Sequence, residues 1–141
     1  MLVRLLYASR TNDKIAPELI NAIMTQARAN NPERGLTGIL CFSDHIFIQV
    51  LEGGRDAVNA LYGQILRDTR HHDVQLLDYA EITERRFAGW TMGHVNLAKL
   101  NTSVLLKYSE LPELNPFVVS GKVSMALLEE LIATAAIVGR A

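Results

Sequence analysis

The sequence predicts an α+β domain: a ferredoxin-like β-α-β-β-α-β-β mixed sheet with two helices on one face and a C-terminal helical extension over the other. Three observations predict it. Apolar runs at residues 2–9, 36–42 and 46–51 have strand length and are bounded by turn formers. Stripes of apolar residues at three- and four-residue steps fill the intervals around them. Beyond Asn96 the texture changes to a helix-forming tail.

Residues 2–9 make the first strand, stopped by the polar stretch 10–14. Pro17 suits the first turn of a helix, where its missing N–H would have no partner anyway. Leu19, Ile20, Ile23, Met24 and Ala27 then form one apolar stripe. Asn30, Asn31, Pro32 and Gly35 are clustered turn formers, expected to end that helix before the strand at 36–42. Ser43 and Asp44 turn the chain into residues 46–51, the second arm of a hairpin closed by Gly53-Gly54. Val58, Leu61, Tyr62, Ile65 and Leu66 repeat the helical stripe. Residues 74–82 alternate as a fourth strand, and 87–95, with Trp90, Met92 and Val95, make a fifth. In the tail, a short helix at 102–108 and a connector holding Pro112 and Pro116 precede a final helix at 122–137. Leu127, Leu128, Leu131, Ile132 and Ala135 form its apolar face. The chain thus divides into residues 1–96, the sheet with its two helices, and 97–141, a helical extension of the same globule that serves as a cap or a partner surface.

Composition narrows the function. At 141 residues, with 49% hydrophobic and 21% charged, the chain suits one folded domain. A formal net charge of −1 argues against direct nucleic-acid binding. An RNA-reading sheet also needs exposed aromatics, and His45-Ile46-Phe47-Ile48-Gln49 supplies only one. No run approaches membrane-spanning length and the first residues do not read as a signal peptide, so a cytoplasmic location and no membrane are expected. Cys41, alone in an apolar strand, reads as a buried, inert thiol. His45, His71, His72 and His94 show no metal-ligand spacing, Gly53-Gly54 lacks the rest of a phosphate loop, and neither Ser9 nor Ser43 has a histidine near it in sequence. No enzyme is expected.

What remains is a polar set at inward-facing positions: Tyr7 in the first strand, Asn31 after the first helix, and Gln49 inside Phe47-Ile48-Gln49-Val50-Leu51. Burying an amide without partners costs about 1–3 kcal/mol, so Gln49 requires a polar partner. In a ferredoxin-like sheet the first and third strands are neighbours, so Tyr7 and Gln49 meet between the helices. They either satisfy one another alone or share a ligand with several hydrogen-bonding edges.

The ordered motifs resemble the BLUF family of FAD-binding blue-light receptors over about residues 2–95. They are Leu6-Tyr7-Ala8-Ser9; Asn31 with Leu36-Thr37-Gly38-Ile39-Leu40; Phe47-Ile48-Gln49-Val50-Leu51-Glu52-Gly53; Asp68-Thr69-Arg70-His71; and Phe87-Ala88-Gly89-Trp90-Thr91-Met92. The resemblance implies a flavin, FAD with FMN or riboflavin as variants, whose ring lies between the two helices against Ile23 and Ile65. It implies that Asn31 bonds the ring's carbonyl and imide edge and that Asn30, Asp68, Arg70 and His71 line the mouth. Tyr7 and Gln49 are implied to be the light-driven switch, giving a dark-reversible red-shifted state. Trp90 and Met92, two apart and so on one face of a strand, are implied to pass the change onward, with Met92 the nearer to the pocket. Output is implied to go to a separate effector protein, from a homodimer or larger ring. His45, where relatives often have Gly, and Ala27, where some carry a hydroxyl, depart from the pattern without touching the switch. The alternative is a ferredoxin-like module that senses a small molecule without photochemistry.

Overall fold

The computed structural model describes residues 1–134 and 136–139. Its elements are β1 (Leu2–Arg10), α1 (Pro17–Arg34), β2 (Thr37–Phe42), β3 (Ile46–Gly54), α2 (Arg55–Arg67), β4 (His72–Ile82), β5 (Gly93–Asn96), a 3-10 turn at Leu97–Lys99, α3 (Thr102–Leu106) and α4 (Gly121–Ile132). The strands form one sheet in the order β4-β1-β3-β2-β5. Every pair is antiparallel except β2–β5, which is parallel. The ferredoxin-like α+β class and the mixed sheet are as the sequence predicts.

Strand alternation splits the interior in two. Leu6 and Ala8 of β1, Ile39 and Cys41 of β2, and Ile48 and Val50 of β3 point to one face, where Leu105, Met125, Leu127, Leu128 and Leu131 of the tail cover them. Leu5 and Tyr7, Leu40, and Phe47 and Leu51 point to the other, beneath Ile20 and Met24 of α1 and Val58 of α2. A side-chain period of two delivers these sets to opposite faces.

Several boundaries differ from expectation. Helix α1 runs through Asn30, Asn31 and Pro32 rather than ending at them. A proline in the last turn removes only one intrahelical bond, so the helix continues. It stops at Gly35, whose left-handed φ of 67° is open to glycine without steric cost, and the Leu36 amide then donates to the Asn31 carbonyl at 3.0 Å. Strand β5 is confined to Gly93–Asn96: ahead of it the amides of Arg86 and Phe87 donate to the Glu52 carboxylate and the Trp90 amide turns back to the Phe87 carbonyl at 3.2 Å, in place of a strand ladder. Trp90 and Met92 therefore lie in the loop before β5. Helix α4 ends at Ile132, five residues before the predicted end at 137. The chain then turns back so that Val138 forms an antiparallel bridge with His94. Ala135, counted on the predicted helical stripe, lies outside the described residues.

Candidate functional site

Tyr7 and Gln49 are direct partners in the β1–β3 register, both on the face beneath α1 and α2. The Tyr7 hydroxyl donates to Gln49 Oε1 at 2.5 Å. The Gln49 amide nitrogen donates to the sulfur of Met92 at 3.3 Å. Thioether sulfur is a weak acceptor, and an amide carries two N–H donors, so Gln49 keeps unused hydrogen-bonding capacity. Both side chains are nearly excluded from solvent, Tyr7 at 4% and Gln49 at 6% exposed. Burial first, then the charges of Tyr62 and Asp68, pushes the Tyr7 phenol far above the ordinary tyrosine range, so it stays protonated at any physiological pH.

These groups form the floor of a cavity of about 170 Å³ between α1 and α2. One water needs only about 10–15 Å³, so the space suits a larger ligand. Ile23 and Ala27 of α1 and Ile65 of α2 give it apolar walls. Asn30 and Asn31 close the end of α1. Asn31 is buried, and its Nδ2 donates to the Thr91 carbonyl at 3.2 Å. Because α1 continues past Asn31, the amide is carried on a helical turn, which fixes its direction more firmly than the loop predicted there.

The mouth is built by the segment after α2. Asp68 accepts from the Arg70 backbone amide at 2.9 Å and pairs with its guanidinium at 2.6–3.0 Å. That hydrogen bond, above all, holds the Asp68 carboxyl below the usual range. His71 bridges two elements. Its Nε2 lies 2.7 Å from the Ile65 carbonyl and its Nδ1 2.7 Å from the Ser9 hydroxyl. A carbonyl only accepts, so Nε2 carries a hydrogen and the ring ties the end of α2 to β1.

The structure thus brings Tyr7, Ile23, Asn30, Asn31, Gln49, Ile65, Asp68, Arg70, His71 and Met92 around one cavity. Trp90 is not among them. It packs in the core on the tail side of the sheet, 6.5 Å from the Phe87 ring, and is 5% exposed. The expectation that Trp90 and Met92 share a strand face is corrected: off the strand, the alternation rule no longer applies to them.

Residue-by-residue reading passed over Glu52. Its side chain is fully buried, accepting from Arg4 Nε at 2.8 Å, the Arg86 amide at 3.0 Å and the Phe87 amide at 2.7 Å. It anchors the start of the loop that carries Met92 to Gln49. Arg4 and Glu52 are opposite charges set among apolar neighbours in their strands, and they stand opposite in register. That pairing was a signal available in the sequence. A second concavity, about 440 Å³, lies between Ser43–Ile46 and the tail around Leu97 and Leu114, away from these polar groups.

Among the described residues no helix is long and apolar enough to cross a membrane, and no cluster of metal-ligating side chains occurs. The family model for BLUF, sensors of blue light using FAD, matches residues 2–93. The chain is 37% identical over 92 residues to the photoactivated adenylate cyclase subunit beta of Euglena longa, covering 64% of this chain and 11% of that protein. It is 36% identical over 89 residues to the blue light- and temperature-regulated antirepressor BluF of Escherichia coli K12, covering 62% of this chain and 22% of that protein. The chain therefore spans only a minor part of these relatives' length. It superposes on BlsA in its photo-activated state with a TM-score of 0.83 and 33% identity, over 96% of this chain and 98% of that one. With the family model matched over residues 2–93 and a buried tyrosine–glutamine pair lining a cavity between two helices, the chain belongs to the BLUF family of flavin-binding blue-light sensors.

Proposed function

We propose that this chain is a blue-light sensor whose signal originates in the hydrogen bonds of Gln49 and is handed to a separate protein. The observation that carries the reading is the Gln49 amide, held between the Tyr7 hydroxyl and the Met92 sulfur on the cavity floor. The donor set fits a flavin: Ile23 and Ile65 for the faces of a planar ring, Asn31 and Gln49 for its polar edge, and Asn30, Asp68, Arg70 and His71 toward a ribityl phosphate chain. When bound, flavin supplies the absorption of blue light and an excited state that accepts an electron.

The chain's own part follows from the protonation of Tyr7. Because burial keeps the phenol from ionising, its proton leaves only when an electron is withdrawn, and Gln49 Oε1 is the acceptor in contact. When the electron and proton return to Tyr7, the amide of Gln49 is left turned or tautomerised. Turned, its N–H meets the Tyr7 oxygen and its oxygen faces the Met92 side; tautomerised in place, its oxygen carries the hydrogen and donates to Tyr7 while the nitrogen keeps one N–H toward Met92. No bond to the cofactor is made or broken, and the state decays thermally. Loss of the contact at Met92 biases the loop before β5, and from there the tail, residues 97–141, which serves as cap and signalling surface. The domain itself is not the catalyst. A homodimer or larger ring belongs to the same reading.

The test is the visible spectrum of the purified protein in the dark and after blue light. The expected result is a flavin band with a small red shift that reverses in the dark, absent in Gln49→Leu although that variant still binds flavin. A band that bleaches or does not move rejects the switch. A protein that takes up no flavin on reconstitution returns the case to a small-molecule-sensing module without photochemistry.

A further inference from the structure

The sheet's β5 edge is met by the chain's own residues 136–139. The amide of His94 donates to the Val138 carbonyl and the amide of Val138 to the His94 carbonyl, both at 3.0 Å. These two reciprocal bonds make a single antiparallel bridge, whereas β1 and β3 are paired from Leu2 and Gly54 to Arg10 and Ile46. Two glycines admit the segment. A Cβ on Gly93 would lie 2.6 Å from Ile137 Cγ2 and 2.9 Å from Trp90 Cδ1, so β5 is bare where Ile137 lies down. Gly139 takes a φ of 91°, which favours glycine, and ends the segment beside Arg28 of α1. Ile137 packs into the tail-side core, while Val138 is 53% exposed.

Among the described residues this segment is held by one bridge and by the packing of Ile137 and the small Ala136 against the tail-side core, beside the strand that directly follows Met92. We propose that residues 136–139 are an exchangeable strap, and that the β5 edge beneath them takes an extended segment of a partner protein by strand addition when the strap is off. The strap itself specifies the ligand: an extended backbone that supplies one N–H and one C=O opposite His94, an aliphatic side chain at the Ile137 position, and no restriction on the outward neighbour. A strand edge with free N–H and C=O groups is a ready template for such pairing. The strap keeps it from pairing indiscriminately, at the high effective concentration of a tethered competitor. Only the light dependence of its release rests on the flavin reading above.

The experiment uses the full chain and a fluorescein-labelled peptide copying residues 133–141, with binding read by anisotropy in the dark. Val138→Pro removes the amide that donates to His94, and Ile137→Asp removes the anchoring side chain. Each is expected to tighten peptide binding by about tenfold or more over the unaltered chain, the factor for two backbone hydrogen bonds that no longer need displacing. Equal or absent binding in both variants overturns the proposal. The second measurement is hydrogen exchange at the His94 and Val138 amides by NMR, with the visible spectrum taken on the same flavin-loaded sample. Faster exchange under blue light at these two amides, and not at the paired amides of β1 and β3, supports release. Unchanged exchange while the red-shifted band is present overturns light-driven release and leaves the photoreceptor reading intact. If no red shift forms, the photoreceptor reading fails, and the dark peptide titration still decides whether the edge is exchangeable.

Discussion

Glu52 offers a prediction whose size follows from its contacts. Its Oε2 accepts from Arg4 Nε and the Arg86 amide, and its Oε1 from the Phe87 amide. In Glu52→Gln only one of these two positions remains an acceptor. Whichever way the amide turns, its NH₂ opposes at least one buried donor, and the Arg4 side chain, 14% exposed, loses its counter-charge. One unsatisfied buried N–H costs about 1–3 kcal/mol, so Glu52→Gln is expected to destabilise the fold by about 2 kcal/mol. Glu52→Ala abandons all three donors and approaches the ~3–5 kcal/mol of a broken buried pair. Domains of this kind have about 5–15 kcal/mol in total, so Glu52→Gln remains folded in buffer while Glu52→Ala takes up much of that margin. At a urea slope of about 1–3 kcal/mol per molar, the midpoint of Glu52→Gln falls by about 1 M and that of Glu52→Ala by roughly twice as much. Equilibrium urea unfolding followed by circular dichroism measures both. If the Glu52→Gln midpoint moves by less than about 0.3 M, the carboxylate is not what holds the start of the 86–92 loop, and the argument for a short β5 fails with it.

Other consequences are as direct. Tyr7→Phe removes the hydroxyl that Gln49 accepts from; it should keep the flavin but form no dark-reversible red shift, and a normal shift under blue light refutes the pair as the switch. Asn31→Ala deletes a buried amide and its bond to the Thr91 carbonyl, so flavin affinity measured by fluorescence titration should fall by about tenfold, equivalent to ~1.4 kcal/mol. The Cys41 thiol is pushed up to about 12 by burial, so a thiol reagent at pH 8 should label it only as fast as the protein unfolds. His94 has its pKa lowered, chiefly by burial and then by Arg28. A histidine held neutral in the fold takes up protons more readily when unfolded. Stability is therefore undiminished above the unfolded value of 6.5 and declines as pH falls below it. Thermal unfolding between pH 7.5 and 5.5 should show that decline, and His94→Gln should flatten it.

The sheet and its two helices were legible because they obey simple periods: Leu6 and Ala8 alternate with Leu5 and Tyr7, and Ile20 and Met24 recur on one helical face. Gln49 was legible because an amide in an apolar strand requires a partner. What escaped was set by tertiary competition for backbone hydrogen bonds. The residues at 87–92 have a strand's composition, yet Glu52 from a distant strand captures the Phe87 amide and the Trp90 amide turns back to the Phe87 carbonyl. Pro32 reads as a helix breaker, but so near a helix end it has little to break. The first half of the strap, Ala136 and Ile137, falls within the helix predicted to end at 137, since Ala and Ile suit either state and only the open edge beside Gly93 decides between them. Trp90 and Met92 were given one face because the period-two rule was applied to residues that are not in a strand.

That misplacement has a mechanical meaning. Thr91 alone separates Met92, seated with the cavity-side core, from Trp90, seated with the core beneath the tail. The backbone there is clipped between the two side chains, where the Gly38 amide holds the Trp90 carbonyl at 3.0 Å and Asn31 Nδ2 the Thr91 carbonyl at 3.2 Å. The segment is thus a rocker with a large side chain on each arm and a fulcrum at the sheet edge. Neither arm can lift from its socket without the other pressing into or pulling from its own. Packing in the two cores is therefore set jointly, and a methylene removed from Leu128 under the tail has a mechanical path to the sulfur that Gln49 touches.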